Sequence, residues 1–532
     1  MLYSESWQSG KKDSGALITA LLAAFLLLLT GCNDASHPFK HELSLDAFSE
    51  LKTDEYALNA LLIKENLEHI SHADHDKTYA TTQIKNYYQQ GGGMVWVDYQ
   101  MVDERADTLL AVLESRLPAI GFSQQPFNLS QIREDLERIR SLQFDEVNNI
   151  NLVLARLEYN LSKAYLRYAA GQRFGFVNPT YVLNHLELRE NDSTRRYPLY
   201  RQLYDVRIER PANQYLQEAL THATRDSLGT YLRQVEPTSC LYLRLSQMFL
   251  NADSSQRQRI LVNMERCRWR DSLKITPTEK HVIVNVPAFH LWAVAPDSIV
   301  EMRVVCGNVK TKTPLLSSQI NHMEVNPEWV IPVSIIRNEV APHGGDSAYF
   351  ARNRYYIADR ETGVRLSPSS VTSKMLRSGN YRVAQEGGAG NSLGRIVFRF
   401  PNNFSVFLHD TSSPGAFGRD NRGVSHGCVR VQRPFDLAVF MMEKDPDPKL
   451  LDKLRISMGM RPETDWGRNQ LDRLDPEEEY PTLVRSISVS PRVPIIITYY
   501  TIFQTPDGSI QYYPDVYGYD KAIAEALKSY IR

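Results

Sequence analysis

Three things this 532-residue chain lacks narrow its function before any motif is read. Charge of one sign is missing: 61 basic residues stand against 62 acidic ones, which leaves no electrostatic footprint for a nucleic-acid partner. Cysteine is scarce, at five in the whole chain. With two of them spoken for below, the odd remainder excludes a fully paired set, and no CxxC or HxxxH pair lies near Cys428 to complete a zinc site. A comfortable membrane span is also missing, because the apolar run from Ala16 to Thr30 is too short for one. Gly91-Gly92-Gly93 lacks the strand and helix that a phosphate-binding turn needs, and reads as a loop.

What is present begins with Lys11 and Lys12 before that run, which ends in Leu29-Thr30-Gly31-Cys32. Small residues before a cysteine fit a lipoprotein signal peptide over residues 1–32, with Cys32 lipidated as the first residue of an exported, periplasm-facing, membrane-anchored protein. A plain membrane anchor is the competing reading. With 42% hydrophobic residues, the chain is long enough for two or three domains.

From about residue 45 to 270 the apolar period is helical, with Leu154, Leu157, Leu161, Tyr165 and Tyr168 on one face and Ile260, Met264 and Cys267 on another. A helical scaffold domain is expected over 33–275. Trp96 is expected to pack among these helices, a sugar-stacking platform being the alternative. Asn178-Pro179 is a turn, and Arg195-Arg196 a solvated connection. From His281 the period becomes two, as in Val282, Val284 and Val286, and predicts a mostly-β, sandwich-like or barrel-like domain over 276–532. The fold class is α+β. Between Ile335 and Arg382 the alternation breaks. Ile495 to Phe503, Asp507-Gly508 and Ser509 to Tyr513 predict a closing hairpin within 490–515 that completes the sheet. Cys306 falls in a strand and reads as core, whereas Cys240 and Cys267 are either a disulfide or two buried thiols.

The chemistry concentrates in Ser425-His426-Gly427-Cys428-Val429-Arg430-Val431, with His409 placed so that fifteen residues separate it from Ser425. A thiol attacks as thiolate and at neutral pH needs a base within reach. His409 ends the strand-like run Phe404 to Leu408, and the loop holding Pro414, Gly415, Gly418 and Gly423 returns the chain to Cys428. Gly427 allows close backbone approach, so its amide and that of Cys428 are expected to receive an oxyanion. His426 either lines that pocket or orients the loop. Arg430 either holds a substrate carboxylate bidentately or stabilises the loop. The competing readings are a buried structural thiol and three quarters of a zinc site, the latter disfavoured by the charge of Arg430.

This segment resembles the catalytic signature of the L,D-transpeptidase (YkuD-like) family. Asn285-Val286-Pro287-Ala288-Phe289, Thr313-Pro314, Asn326-Pro327-Glu328-Trp329 with Pro332, Gly390-Asn391-Ser392-Leu393-Gly394 and Phe407-Leu408-His409-Asp410-Thr411 resemble landmarks of its large, multidomain envelope branch. Many members carry Asn where this chain has Arg430, which marks the subfamily. The resemblance implies a cysteine acyltransferase acting on peptidoglycan stem peptides. Cys428 would cut after the third residue of a tetrapeptide stem, release D-alanine, and pass the thioester to a diaminopimelate amine of a second stem. It also implies a capping lid over 335–382, a backbone carbonyl such as that of Asp410 as the partner of His409, acylation by carbapenems, and no metal, nucleotide or organic cofactor. Trp329, Tyr381 and Asn391 become candidate groove residues. The glycan-binding module of many relatives, marked by a Phe-Gln pair and an Asp-Gly-x-x-Gly turn, has no counterpart between residues 200 and 260. An L,D-carboxypeptidase, a protein–peptidoglycan ligase and a non-catalytic envelope scaffold are the alternatives.

Overall fold

The computed structural model describes residues 56–98, 101–188, 199–225, 227–276, 279–388, 390–475 and 481–531. Cys32 and the expected signal peptide lie outside the described residues, as do Arg195 and Arg196. Among the described residues no helix is long and apolar enough to cross a membrane. Two compact units divide the chain: one takes in Met1–Ala111, Phe127–Arg167 and Leu220–Leu228, the other Val112–Pro126, Tyr168–Ala219 and Gly229–Arg532. Residues 33–275 therefore contribute to both units, where a single helical domain was expected.

In the first unit, helix Ala60–Ala73 starts at Asn59, whose side chain accepts the Leu61 and Leu62 amides, and helix Tyr79–Gln89 starts at Thr78, which accepts the Thr81 amide. Helix Ile150–Phe174, which belongs to this unit up to Arg167, buries Leu154, Leu157, Leu161 and Tyr165 as the apolar spacing predicts. Its Glu158 is a buried carboxylate, a costly feature unless fully hydrogen-bonded. It accepts the amides of Val95, Trp96 and Val97 at 2.6, 2.9 and 3.0 Å and the Tyr88 hydroxyl at 2.5 Å. Trp96 is 1% exposed and donates its indole N–H to Ser162, so it packs in the core and no sugar can stack on it.

The second unit carries the catalytic sheet. Besides the short strand Tyr204–Asp205, which pairs parallel with Leu315–Val325, the strands of this unit are β1 (His281–Asn285), β2 (His290–Ala295), β3 (Ser298–Gly307), β4 (Leu315–Val325), β5 (Trp329–Val330), β6 (Tyr355–Asp359), β7 (Arg365–Leu366), β8 (Tyr381–Gln385), β9 (Ile396–Arg399), β10 (Leu408–His409), β11 (Gly423–Ser425), β12 (Val429–Val431), β13 (Ser486–Thr498), β14 (Ile502–Gln504) and β15 (Ile510–Tyr512). Hydrogen bonding runs in the order β9-β10-β12-β3-β2-β1-β13-β4, and β4 pairs again with β9. The sheet thus closes on itself around a core that includes Val282, Val284, Met302, Val304, Ile320 and Phe398. Cys306 is wholly buried in it, as the strand pattern predicts.

The carboxy-terminal expectation needs correcting. β13 runs between β1 and β4, parallel to the first and antiparallel to the second, while β14 and β15 form a separate two-stranded sheet. The stretch 490–515 is therefore one central strand plus a short hairpin. Alternation along Ile495 to Phe503 gave no sign that Tyr499–Thr501 leaves the sheet. It does so because Asn263, on helix Ser254–Arg268, captures the turn: its Oδ1 accepts the amides of Thr501 and Ile502 at 3.1 and 3.2 Å, and its Nδ2 donates to Thr501 Oγ1 at 2.8 Å. The same interactions explain why this helix packs with the catalytic sheet. Helix Tyr519–Ile531 then ends the unit, with Tyr530 stacked on Phe122 at 5.1 Å between centroids.

The break in alternation after Ile335 is a small subdomain with its own antiparallel sheet, ordered β7-β6-β8-β5. Its separate core includes Ile331, Ile336, Val340, Phe350, Ile357 and Val383. It extends beyond 335–382, because Trp329 of β5 pairs with Gln385 of β8 and closes a two-stranded stem.

Candidate active site

Parallel pairing of β10 with β12, in the register Leu408↔Val429 and His409↔Arg430, carries the histidine to the edge of the cysteine loop. The strand-like run expected before His409 is mostly a turn. Asn402 Oδ1 accepts the amides of Phe404 and Val406, and Ser405 takes a left-handed conformation with φ 53°. That turn aims the Ser405 carbonyl at the half-buried Cys428 thiol, which donates to it at 3.8 Å. Among the described residues no hydrogen bond joins His409 to Cys428. Catalytic contacts of this kind commonly tighten only with substrate.

His409 is 4% exposed. Its Nδ1 donates to the Asp410 carbonyl at 2.5 Å, and since a carbonyl only accepts, Nε2 keeps the lone pair a base requires. The Asp410 carboxylate faces elsewhere and accepts the Arg395 amide at 2.8 Å, so no carboxylate completes a triad. Burial first, and the Arg430 charge second, push the imidazole down to about 4, which keeps it neutral at physiological pH. Burial also raises the Cys428 thiol, opposed by the charges of Arg399 and Arg430.

The Ser425–Cys428 loop is held at several points. The Ser425 carbonyl accepts the Asn308 amide at 3.1 Å and the Thr311 hydroxyl at 2.8 Å. Ser425 Oγ donates to the Cys428 carbonyl at 2.6 Å and accepts the Gly427 amide at 3.2 Å. Gly427 has φ 120°, a conformation that favours glycine and strains other residues. Of the two amides expected to form an oxyanion hole, that of Gly427 is engaged by Ser425. The Cys428 amide has no partner among the described residues.

Other expectations change more. The exposed His426 ring turns to the small subdomain, where its Nε2 meets Glu339 Oε1 at 2.8 Å on the π-helical turn Ile336–Val340. Sequence reading missed Glu339, whose only signal was a carboxylate in a polar stretch 87 residues away. Asn391 is fully buried, donates to the carbonyls of Pro327, Gln385 and Glu386, and accepts the Leu393 amide at 2.7 Å. It ties the base of the cap and cannot line a groove. Trp329 and Tyr381 pack against the cap's own core, Trp329 edge-on to Tyr355. Cys240 and Cys267 are both free thiols, and burial pushes Cys267 up to about 12.

The Arg430 guanidinium has no hydrogen bond or ion pair among the described residues, its buried Nε included, and burial lowers its pKa. Its charge disfavours the His409 imidazolium and favours the Cys428 thiolate. Arg430→Gln should therefore raise both groups. In the wild type, acylation should fall away as pH drops through about 4, where His409 takes up a proton. In the variant both limbs of the pH–rate profile should move to higher pH. A profile measured with a carbapenem whose acid limb stays in place would show that this charge does not act on the imidazole.

Cys428, in the bend just before β12, and the buried, carbonyl-held His409 on the parallel neighbour β10 form the candidate active site. Residues 279–448 match the family model of the L,D-transpeptidase catalytic domain, YkuD, and residues 82–248 that of a Scaffold domain. A Haemophilus influenzae protein named "Putative L,D-transpeptidase" is 26% identical over 323 residues, or 59% of this chain and 60% of that relative's own length. An L,D-transpeptidase structure from Mycobacterium smegmatis matches 41% of this chain and 58% of its own at 14% identity, with a TM-score of 0.18.

Proposed function

We propose that the protein is a peptidoglycan L,D-transpeptidase that works through a thioester on Cys428. The observation that carries this reading is the strand pairing that sets a neutral, buried His409 next to the Cys428 loop, within the segment that matches the L,D-transpeptidase family model. His409 Nε2 takes the thiol proton as Sγ attacks the carbonyl after the third residue of a donor stem. The tetrahedral oxyanion is received by the Cys428 amide. Collapse breaks the peptide bond, and D-alanine leaves with the proton held on His409. A diaminopimelate amine of an acceptor stem then attacks the thioester, gives up a proton to His409, and frees the thiol. The unpaired guanidinium of Arg430 is suited to a stem carboxylate.

The capping subdomain supports transfer over hydrolysis, since a cover that excludes water favours a positioned amine. Mass spectrometry of the protein incubated with disaccharide-tetrapeptide tests the reading. A cross-linked dimer is expected; tripeptide alone would make the enzyme an L,D-carboxypeptidase, and no product at all would sink the proposal. Cys32 is proposed as a lipid anchor: a clickable fatty acid should label the wild type and not Cys32→Ser, and equal labelling of both would reject it.

A further inference from the structure

Building on the transpeptidase reading, we infer that Thr313 and Tyr517 are positioning residues for the oxyanion, because together they fix the peptide whose amide receives the developing charge. The directions of their hydrogen bonds are forced, since a hydroxyl has a single proton to give. Tyr517 Oη accepts the Thr313 amide at 3.1 Å, and so its proton goes to the Gly307 carbonyl at 2.6 Å. Thr313 Oγ1 accepts the Gly307 amide at 2.8 Å, and so its proton goes to the Gly427 carbonyl at 2.8 Å. In a trans peptide the C=O and N–H point to opposite sides. Holding the Gly427 carbonyl on Thr313 therefore turns the Cys428 N–H the other way, where no described residue takes it. Ser425 Oγ anchors the next carbonyl, that of Cys428, at 2.6 Å.

The relay is shielded from competing water, with Thr313 fully buried and Tyr517 7% exposed. It also depends on a close approach at Gly307, where a Cβ would come within 2.0 Å of the Thr311 carbonyl. Three distant parts of the chain thus act on one peptide plane: the turn from Gly307 to Thr313, the cysteine loop, and Tyr517 just before the last helix.

In the acyl step the Sγ–C bond forms and the carbonyl π pair moves to oxygen, creating the charge that the Cys428 amide stabilises. Collapse restores the carbonyl, breaks the C–N bond, and gives nitrogen the proton taken from the thiol. Alkylation of the same thiol by iodoacetamide displaces iodide at a saturated carbon and develops no oxyanion. The two reactions separate positioning of the amide from general integrity of the thiol site.

The test compares acylation by imipenem, followed by intact mass, with alkylation by iodoacetamide. Thr313→Val should slow acylation about tenfold to a hundredfold, at or below the loss typical of deleting an oxyanion donor outright, and leave alkylation nearly unchanged. Thr313→Ser, which keeps the hydroxyl, should restore most of the rate. Tyr517→Phe should act in the same direction, and it decides the matter by the same ratio should Thr313→Val fail to fold. Parallel loss of both reactions, or acylation unchanged in the folded variants, would overturn the inference. A wild type that is alkylated but forms no acyl-enzyme with imipenem or stem peptide would instead remove the transpeptidase reading on which the inference rests.

Discussion

Cys428→Ala is expected to leave no covalent adduct with a carbapenem and no cross-linked dimer from stem peptides. The thiol is the only group in the proposed mechanism that bonds to the acyl carbon, and no neighbour can replace it. The other described thiols are poorly suited. Cys306 is fully buried, and burial pushes it up to about 12. Cys267 is pushed up to about 12 in the same way. Cys240 is exposed but has no strand-paired histidine of the kind that serves Cys428. Intact mass and peptide mapping check the prediction. An adduct surviving on Cys428→Ala, or mapping to Cys240 or Cys267 in the wild type, would mean that the nucleophile has been misassigned.

His409→Ala should be the next most damaging change. Loss of a general base costs on the order of 10²–10⁴ in rate, or about 3–5 kcal/mol of transition-state stabilisation. His409 fits that role on three counts: Nδ1 is fixed by the Asp410 carbonyl, Nε2 keeps its lone pair, and the ring is neutral at physiological pH. His426 meets none of these in the same way, since its ring faces Glu339 at the cap. His426→Ala should therefore cost less, and what it does cost should come from loosening that contact. Single-turnover acylation at neutral pH distinguishes the two. A larger defect at His426 than at His409 would reverse the roles.

Much of the site was legible in the sequence because its key parts lie close along the chain. His409 and Cys428 are separated by a short connection that includes β11, and β10 and β12, which carry and follow them, are neighbours in the sheet. Helical periodicity was equally local, so the buried face of Ile150–Phe174 could be read directly. What escaped notice depends on contacts between distant segments. Nothing local tells that β13 lies parallel to β1 across more than 200 residues, or that Asn263 pulls the chain out of the sheet at Thr501. Asn391 reads as a groove residue in the sequence because a polar side chain in a glycine-rich turn has no visible partner until three carbonyls converge on it. The contact of His426 with Glu339 and the relay through Thr313 belong to the same class: ordinary residues made significant by what the fold sets beside them.

Closure of the sheet has a consequence for when the chain becomes reactive. β12 is held by β3 on one side and β10 on the other, β10 depends on β9, and β9 is completed by β4. The β12–β3 and β4–β9 pairings join strands far apart in sequence, and each must first overcome the entropy of a long loop. Until they do, Cys428 is an ordinary thiol without a base, and Gly427 carries no fixed carbonyl. A nascent or partly folded chain is thus chemically quiet toward amides and β-lactams. Acylation by a carbapenem would mark only molecules whose barrel has shut, which makes the inhibitor a titrant for the fully folded population.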